Sequence, residues 1–320
     1  MTERQPDEVE QLLRDRRAAR DAGDFERADA LREEIRTLGW EVQDSIHGST
    51  ARPLLPDAPA PTGYARPEEL ASLLDQPPAV DASLQVVTTD HASDLRRFLA
   101  GLAAHPPSAS WELLMVANSP SYDLPTLVAE TALPVQASIL ATTERLGWAD
   151  AVNLGLRRSR GGITLLLDTS LEPVGDFVTP LLAAFDDPTV GIAGGWGVTS
   201  AQARQFEAAP PGEVDAIEAY CLAVRREVLR DVGLFDPHYR FYRNADLDFS
   251  FTVRDAGWRA VVVGDLPLQR HAHRGYASLP EAERDRLSKR NFYRFLKRWG
   301  DRRDLLLHPA PAGPPSPPAG

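Results

Sequence analysis

The chain opens with a helical rhythm and then changes to alternating runs of strand and helix. Between residues 7 and 40, Val9, Leu12, Leu13 and Arg16 share one face at a 3.6-residue period. After the break Ala22-Gly23-Asp24, Phe25, Ala28, Leu31 and Ile35 share another. That spacing predicts an αα-hairpin, with Asp24 as N-cap of the second helix and Gly39 just past its end. A short extended piece, Glu41 to Asp44, should follow, ahead of a turn at 47–49.

From Leu84 the period shortens. Leu84–Thr88, Trp111–Val116, Val135–Ala141, Ile163–Leu167 and Val190–Gly194 read as short strands, and the apolar run Ile163–Leu167 as one buried on both faces. Helical patterns lie between them at Asp90–Ala103 (Leu95, Phe98, Leu99 and Leu102 inward), Trp148–Arg157 and Asp176–Phe185. A strand at Ala260–Val263 follows a helix running from Asn244 to Ala256 and closed by Gly257. This alternation predicts an α/β domain on a parallel sheet with right-handed crossovers.

Proline separates the two patterns. Residues 51–82 hold seven prolines that fix φ and remove backbone donors, so the sequence predicts a semi-rigid linker with one helical turn at Glu68–Leu74. The expected organisation is a helical hairpin at 1–50, this linker, an α/β domain over 83–306 and a disordered Pro-rich tail at 307–320.

Composition narrows the functional classes. A net charge of −11 argues against a general binder of nucleic acid or anionic membrane. Cys221 is the lone cysteine, which rules out an intrachain disulfide or a thiolate-rich zinc site. No apolar run approaches the roughly 20 residues of a membrane span, and the charged first residues lack the apolar core of a signal peptide. A cytoplasmic protein is the expectation.

Two residues stand out chemically. Asp168 ends the run Ile163–Leu167, at the strand edge where open α/β sheets bind ligands, and is placed to meet a metal-bound diphosphate. The competing expectation is an Asp that starts a turn. A histidine of HAHRGYAS, just past a strand, suits a metal or diphosphate oxygen, or is simply a surface histidine. The basic stretch 284–303 carries Phe292, Tyr293, Phe295 and Leu296. One face should pack on the sheet, and the other either screens a leaving diphosphate or is merely solvated.

Several stretches carry resemblances. LLRDRRAARDAGDFERADALREEIRTLGWEVQDSIHGSTARP resembles the small helical module at the C-terminus of bacterial cysteinyl-tRNA synthetases, without that enzyme's catalytic domain or zinc site. Its arginines alternate with carboxylates, which favours a docking or self-association role over RNA binding. VVTTDHASDLRRFLAGL, WELLMVANSP, LGWADAVNLGLRRSRGGITLLLDTSLEP, CLAVRREVLRDVGLFDPHYRFYRNADLDFSFTVRDAGWRAVVV and HAHRGYAS resemble the family-two glycosyltransferases in order and spacing.

The second resemblance implies a GT-A nucleotide-sugar fold over residues 84–301. It also implies transfer from a nucleotide-diphospho-sugar to a hydroxyl of a glycan, lipid-linked or small-molecule acceptor, with inversion and a divalent metal, Mn²⁺ or Mg²⁺. On the matching positions it makes Asp246 the base, sets Asp168 and His273 around metal and diphosphate, and sets Thr88, Asp90, Asn118 and the segment Gly147, Trp148 to Asn153 around the donor. Asp248 is expected to serve as an N-terminal helix residue.

The sequence departs from the family at Ala117 (commonly Asp), Ser170 (commonly a second metal carboxylate, with Glu172 nearby) and Ala245 (often Glu). These departures open a rival expectation, a domain that keeps the fold but serves as a binding scaffold.

Overall fold

The computed structural model describes residues 7–22, 24–38, 40–45, 48–53 and 63–310. It divides into two compact units, Met1–Pro61 and Thr62–Gly320.

In the first unit α1 (Asp7–Asp21) and α2 (Phe25–Thr37) bury Val9, Ala28, Leu31 and Ile35. Asp24 caps α2 by accepting from the Arg27 amide at 3.0 Å, as its position predicted. The extended piece is one arm of a hairpin, β1 (Trp40–Ser45) paired with β2 (Gly48–Pro53) from Trp40↔Pro53 to Ser45↔Gly48. Arg16 is buried, and its guanidinium donates to Ser49 Oγ at 2.8 Å, tying α1 to β2. Gly39 and residue 47 of the expected turn lie outside the described residues, and Gly48 and Ser49, expected in that turn, instead open β2.

The second unit begins before the boundary that the prolines predict. Leu70 and Leu74 are core residues, Tyr64 bridges to Thr142, and a 3-10 turn stands at Pro67–Glu69. Prolines here restrict a segment that is packed on the domain. The tail likewise begins later than expected. Leu307 donates to the buried Asp215 carboxylate at 2.8 Å and Ala310 to the Ala201 carbonyl, while residues 311–320 lie outside the description.

The sheet is built from β3 (Val80–Thr88), α3 (Ala92–Ala104), β4 (Trp111–Ala117), α4 (Leu124–Ala129), β5 (Ala137–Ala141), α5 (Trp148–Arg158) and β6 (Gly161–Leu167). These four strands are parallel, and their alternating sides bury Leu84, Val86, Leu113, Met115, Leu165 and Leu167 against α3, where Leu95, Phe98, Leu99 and Leu102 face inward as their period predicted. A short β7 (Leu171–Pro173) and α6 (Val178–Ala183) lead to β8 (Val190–Gly194).

Small strands follow: β9 (Gly197–Thr199), β10 (Glu207–Ala208), β11 (Gly212–Glu213) and β12 (Ala216–Ile217). The chain then returns through β13 (Cys221–Arg225), α7 (Arg226–Val232), α8 (Ala245–Asp255), β14 (Arg259–Val262), β15 (Leu268–Arg270), α9 (Arg274–Ala277) and α10 (Glu281–Trp299). The main sheet runs β11-β14-β8-β13-β6-β3-β4-β5. It is mixed rather than all parallel, because β13 slots in antiparallel to both β6 and β8.

From β3 the chain steps to β4 and β5 on one side, then crosses to β6 on the other. The carboxyl ends of β3 and β6 therefore flank a switch point, the crevice where α/β sheets take ligands. Among the described residues no helix is long and apolar enough to cross a membrane.

Helix α10 packs on α8 rather than on the sheet. Phe295 and Trp299 meet Phe251 and Leu247, with Phe251 edge-on to Phe295 at 4.9 Å. Asp248 is not an N-terminal capping residue. It is buried, accepting from Trp299 Nε1 at 2.8 Å and pairing with Arg298 at 3.1 Å, so a tertiary contact takes the carboxylate that local pattern assigned to the helix dipole.

Candidate active site

Asp168 stands directly after β6, where its own backbone makes a turn. Its carboxylate accepts from the Ser170 amide at 2.8 Å, and Leu171 donates to its carbonyl. The other oxygen, Oδ2, lies 3.2 Å from His273 Nε2. Turn-starting and ligand-facing roles thus coexist in one side chain.

His273 is brought there by the β15–β7 ladder, which pairs Arg270 with Leu171. Its ring stacks on Tyr242 at 4.7 Å and meets Tyr220 edge-on at 6.0 Å. Burial alone would lift the Asp168 carboxyl, but the hydrogen bond and charge of His273, with the Ser170 contacts, outweigh it and hold the group below the usual carboxylate range. Burial would likewise depress His273, and Asp168 overrides it, so the imidazole lies above its ordinary value.

Two cavities meet at this pair. The first, about 210 Å³, lies at the switch point between Thr89, Asp90 and His91 after β3 and Asp168, Thr169 and Ser170 after β6. The second, about 320 Å³, is bounded by Phe206, Glu218, Tyr220, Arg243 and Asp246. Trp148, Asp168, Ala219, Tyr242 and His273 line both.

Asp246 sits in the first turn of α8 and is held by two amides, Ala219 N–H at 3.1 Å and Leu247 N–H at 3.0 Å. Burial raises its pKa, with those amides and Arg243 pulling the other way. A carboxylate fixed in place and made more basic is suited to accept a proton. The loop ahead of it is set by α10. Asn291 Nδ2 donates to the Phe241 and Arg243 carbonyls at 2.7 and 2.9 Å, and Asn244, in the left-handed region at φ 66°, reaches the Ser288 carbonyl.

The residues expected around the donor divide into two groups. Asp90 and Trp148 line the first cavity. Asp90 is held by a two-pronged contact with Arg145, at 2.9 and 3.2 Å, which keeps its carboxyl below the usual range. The others brace the walls. Thr88 is fully buried and donates to the Val116 carbonyl, while its neighbour Thr89 faces the cavity. Asn118 exchanges hydrogen bonds with both backbone groups of Leu146, and Asn153 does the same with Phe235. Gly147 begins α5 against Arg240, which a Cβ there would meet at 3.1 Å.

Glu172 turns away from Asp168. Its carboxylate pairs with His271 at 2.6 Å and lies 3.9 Å from Arg97. Among the described residues no three His, Cys, Asp or Glu side chains group to hold a metal. Asp168 and His273 fit a cation that draws its remaining ligands from diphosphate oxygens and water, as Mg²⁺ commonly does, and do not form an all-protein cage.

Sequence reasoning did not find Gln85, Glu218, Tyr220 or Phe206. Only Gln85, a polar residue inside an apolar strand, carried a local signal. No residue of α10 lines either cavity among those described, so its basic face borders neither.

Comparison with known proteins fits this geometry. Residues 83–248 match the profile of glycosyl transferase family 2, just over half of the chain. The chain belongs to glycosyl transferase family 2. Residues 2–50 match the cysteinyl-tRNA ligase anticodon binding domain. A cysteine–tRNA ligase of Oleidesulfovibrio alaskensis is 56% identical over 41 residues, 13% of this chain and 8% of the ligase.

Among solved structures, GalNAc-T7 with UDP, GalNAc and Mn²⁺ superposes with a TM-score of 0.55 at 15% identity, covering 71% of this chain and 49% of that one. The mannosyltransferase PcManGT of Pyrobaculum calidifontis, with GDP-Man and Mn²⁺, gives 0.53 at 21% identity, covering 72% and 67%. The chain thus has the GT-A fold, and it spans about half the length of the first of these neighbours and a small fraction of the ligase.

Proposed function

We propose that this family 2 member transfers a sugar from a nucleotide-diphospho-sugar to an acceptor hydroxyl, with inversion at the anomeric carbon. The observation that carries the reading is the junction of two cavities at Asp168 and His273, with the half-buried carboxylate of Asp246 facing the second. The first cavity takes the donor and the second the acceptor. Asp246 removes the proton of the acceptor hydroxyl as its oxygen bonds to the anomeric carbon. The bond from that carbon to the diphosphate oxygen breaks, and the nucleoside diphosphate leaves.

Asp168 and His273 hold the divalent cation, which when bound neutralises charge on the diphosphate. Trp148 and Tyr242, shared by both cavities, border the path between donor and acceptor and exclude water from it. The two neighbours carry UDP or GDP-Man together with Mn²⁺, which supports this donor class. The family's glutamate is absent at Ala245, but that side chain is buried in the apolar cluster with Phe235, Tyr239 and Phe249, so the departure takes no carboxylate from the acceptor cavity. In the first unit carboxylates outnumber arginines and Arg16 is buried, which supports docking or self-association over RNA binding.

Calorimetric titration of UDP, GDP, dTDP, CDP and their sugars, with and without Mn²⁺, tests the reading. Metal-dependent binding of one nucleotide class is the expected result. Absence of binding to folded protein would favour the scaffold instead.

A further inference from the structure

Glu218 lines the acceptor cavity together with Asp168 and Asp246, and no recognisable motif announces it. It sits in the turn joining β12 to β13, where its amide donates to the Trp196 carbonyl at 2.9 Å. The next residue, Ala219, donates its amide to Asp246, so one turn fixes both carboxylates against each other. Burial and then the charge of Asp246 raise the pKa of Glu218, which places the two groups within electrostatic reach.

Behind Glu218 stands Arg270, 3.7 Å away, whose guanidinium lies over the rings of Tyr220 at 4.9 Å and Trp196 at 5.3 Å. That separation is an ion pair longer than a hydrogen bond, so the Glu218 oxygens keep lone pairs for an incoming O–H. Arg270 offsets the second negative charge, and the cavity does not need a cationic acceptor to balance it. Trp148, Phe206, Tyr220 and Tyr242 supply apolar faces around the carboxylates. Aromatic walls with fixed carboxylates at one end match a pyranose, which offers C–H faces to rings and adjacent hydroxyls to acceptors.

We propose that the acceptor is a saccharide, and that Glu218 binds the hydroxyl next to the one that attacks while Asp246 takes the attacking hydroxyl's proton. This rests on the glycosyl-transfer reading and narrows it from any hydroxyl to a vicinal diol on a sugar ring. Glu218 forms no bond to carbon and takes no proton in the balance of the reaction. It sets the register of the acceptor, so its removal should fall on acceptor KM more than on kcat.

The test uses the full chain with the donor found by calorimetry and, as acceptor probes, the p-nitrophenyl β-glucoside, β-galactoside and α-mannoside, their monodeoxy analogues, and n-octanol. The wild type should use at least one pyranoside. Glu218→Gln should raise its KM by about 10-fold or more, the size expected for one hydrogen bond to a charged group, with donor Kd within about 2-fold. Removing the neighbouring hydroxyl from the probe should cost the wild type a similar factor and the variant under about 3-fold, because the pair acts as one interaction. Glu227→Gln, on the exposed face of α7, is the neutral control.

Equal deoxy penalties in the wild type and Glu218→Gln would overturn the proposal, as would transfer to octanol but to no pyranoside. Both results leave glycosyl transfer standing. Failure of the wild type to bind any nucleotide removes both readings, and the calorimetry alone reveals it.

Discussion

Arg226 provides the sharpest test of how the family 2 domain is closed. It is 3% exposed, and its guanidinium donates to the Leu74, Gln76, Ser159 and Gly161 carbonyls at 3.0 to 3.1 Å and also to the Leu73 carbonyl. Residues 73–76 belong to the stretch whose prolines predict a linker, and Ser159 and Gly161 flank the start of β6. One side chain therefore ties that stretch to the sheet.

Arg226→Met keeps most of the volume and removes every donor. Gln76 is exposed and its carbonyl can recover water, whereas Leu74, Ser159 and Gly161 are buried. Three buried carbonyls left without partners cost about 1–3 kcal/mol each, so the loss should be at least about 3–5 kcal/mol, the range for removing one partner of a buried charged network. At about 2–4 °C per kcal/mol for a domain of this size, Tm should fall by roughly 10 °C. Lys should recover less than half, since an ammonium cannot span five acceptors.

Urea denaturation followed by tryptophan fluorescence gives the free energy. Thermolysin digestion should reveal new cleavage before Leu70, Leu73 or Leu74 in the Met variant. A loss under about 1 kcal/mol, with that segment still protected, would mean that it is a linker after all and that the guanidinium's contacts stabilise nothing.

Asp246→Asn should lower kcat by about 10²- to 10⁴-fold with donor Kd unchanged, measured by transfer assay and calorimetry. Because burial raises the Asp246 pKa and the base must be ionised, wild-type kcat should fall as pH drops through a limb above the ordinary aspartate range; a limb below that range would contradict the role. Asp168→Asn should remove the Mn²⁺ dependence of nucleotide affinity, read by titration with and without metal, while an unchanged dependence would place the metal elsewhere. Gly155→Ala puts a Cβ 2.4 Å from the buried Gln85 amide, so despite alanine's better helix propensity it should destabilise the fold by about 1–3 kcal/mol, measured in urea.

What could be read from the sequence follows from how each residue is fixed. The strands β3, β4, β6 and β8 announce themselves because a strand buried on both faces must be a continuous apolar run, and the ends of such runs locate the switch point. Asp168 could be picked out for that reason, and resemblance carried Asp246 and His273, residues far apart in the chain that the fold brings to two adjoining cavities.

The misreadings share a different cause. Asp248 has the position of a dipole-facing carboxylate, yet Trp299, 51 residues later, takes it; Asn118 and Asn153 match positions that the resemblance sets around the donor, yet their amides hold the loops at Leu146 and Phe235. A polar side chain near a site satisfies whichever partner tertiary packing delivers, and local pattern does not encode that partner.

The acceptor side is the extreme case. Part of its wall comes from strands of two or three residues, β9, β10 and β12, too short to show a period, and from a single turn at residues 218–220. The proposed donor side is tied to the ends of long apolar strands, and the proposed acceptor side to pairings that exist only once β13 has inserted between β6 and β8. The half of the site to which the proposal gives the choice of acceptor is therefore the half that emerges only from the assembled sheet.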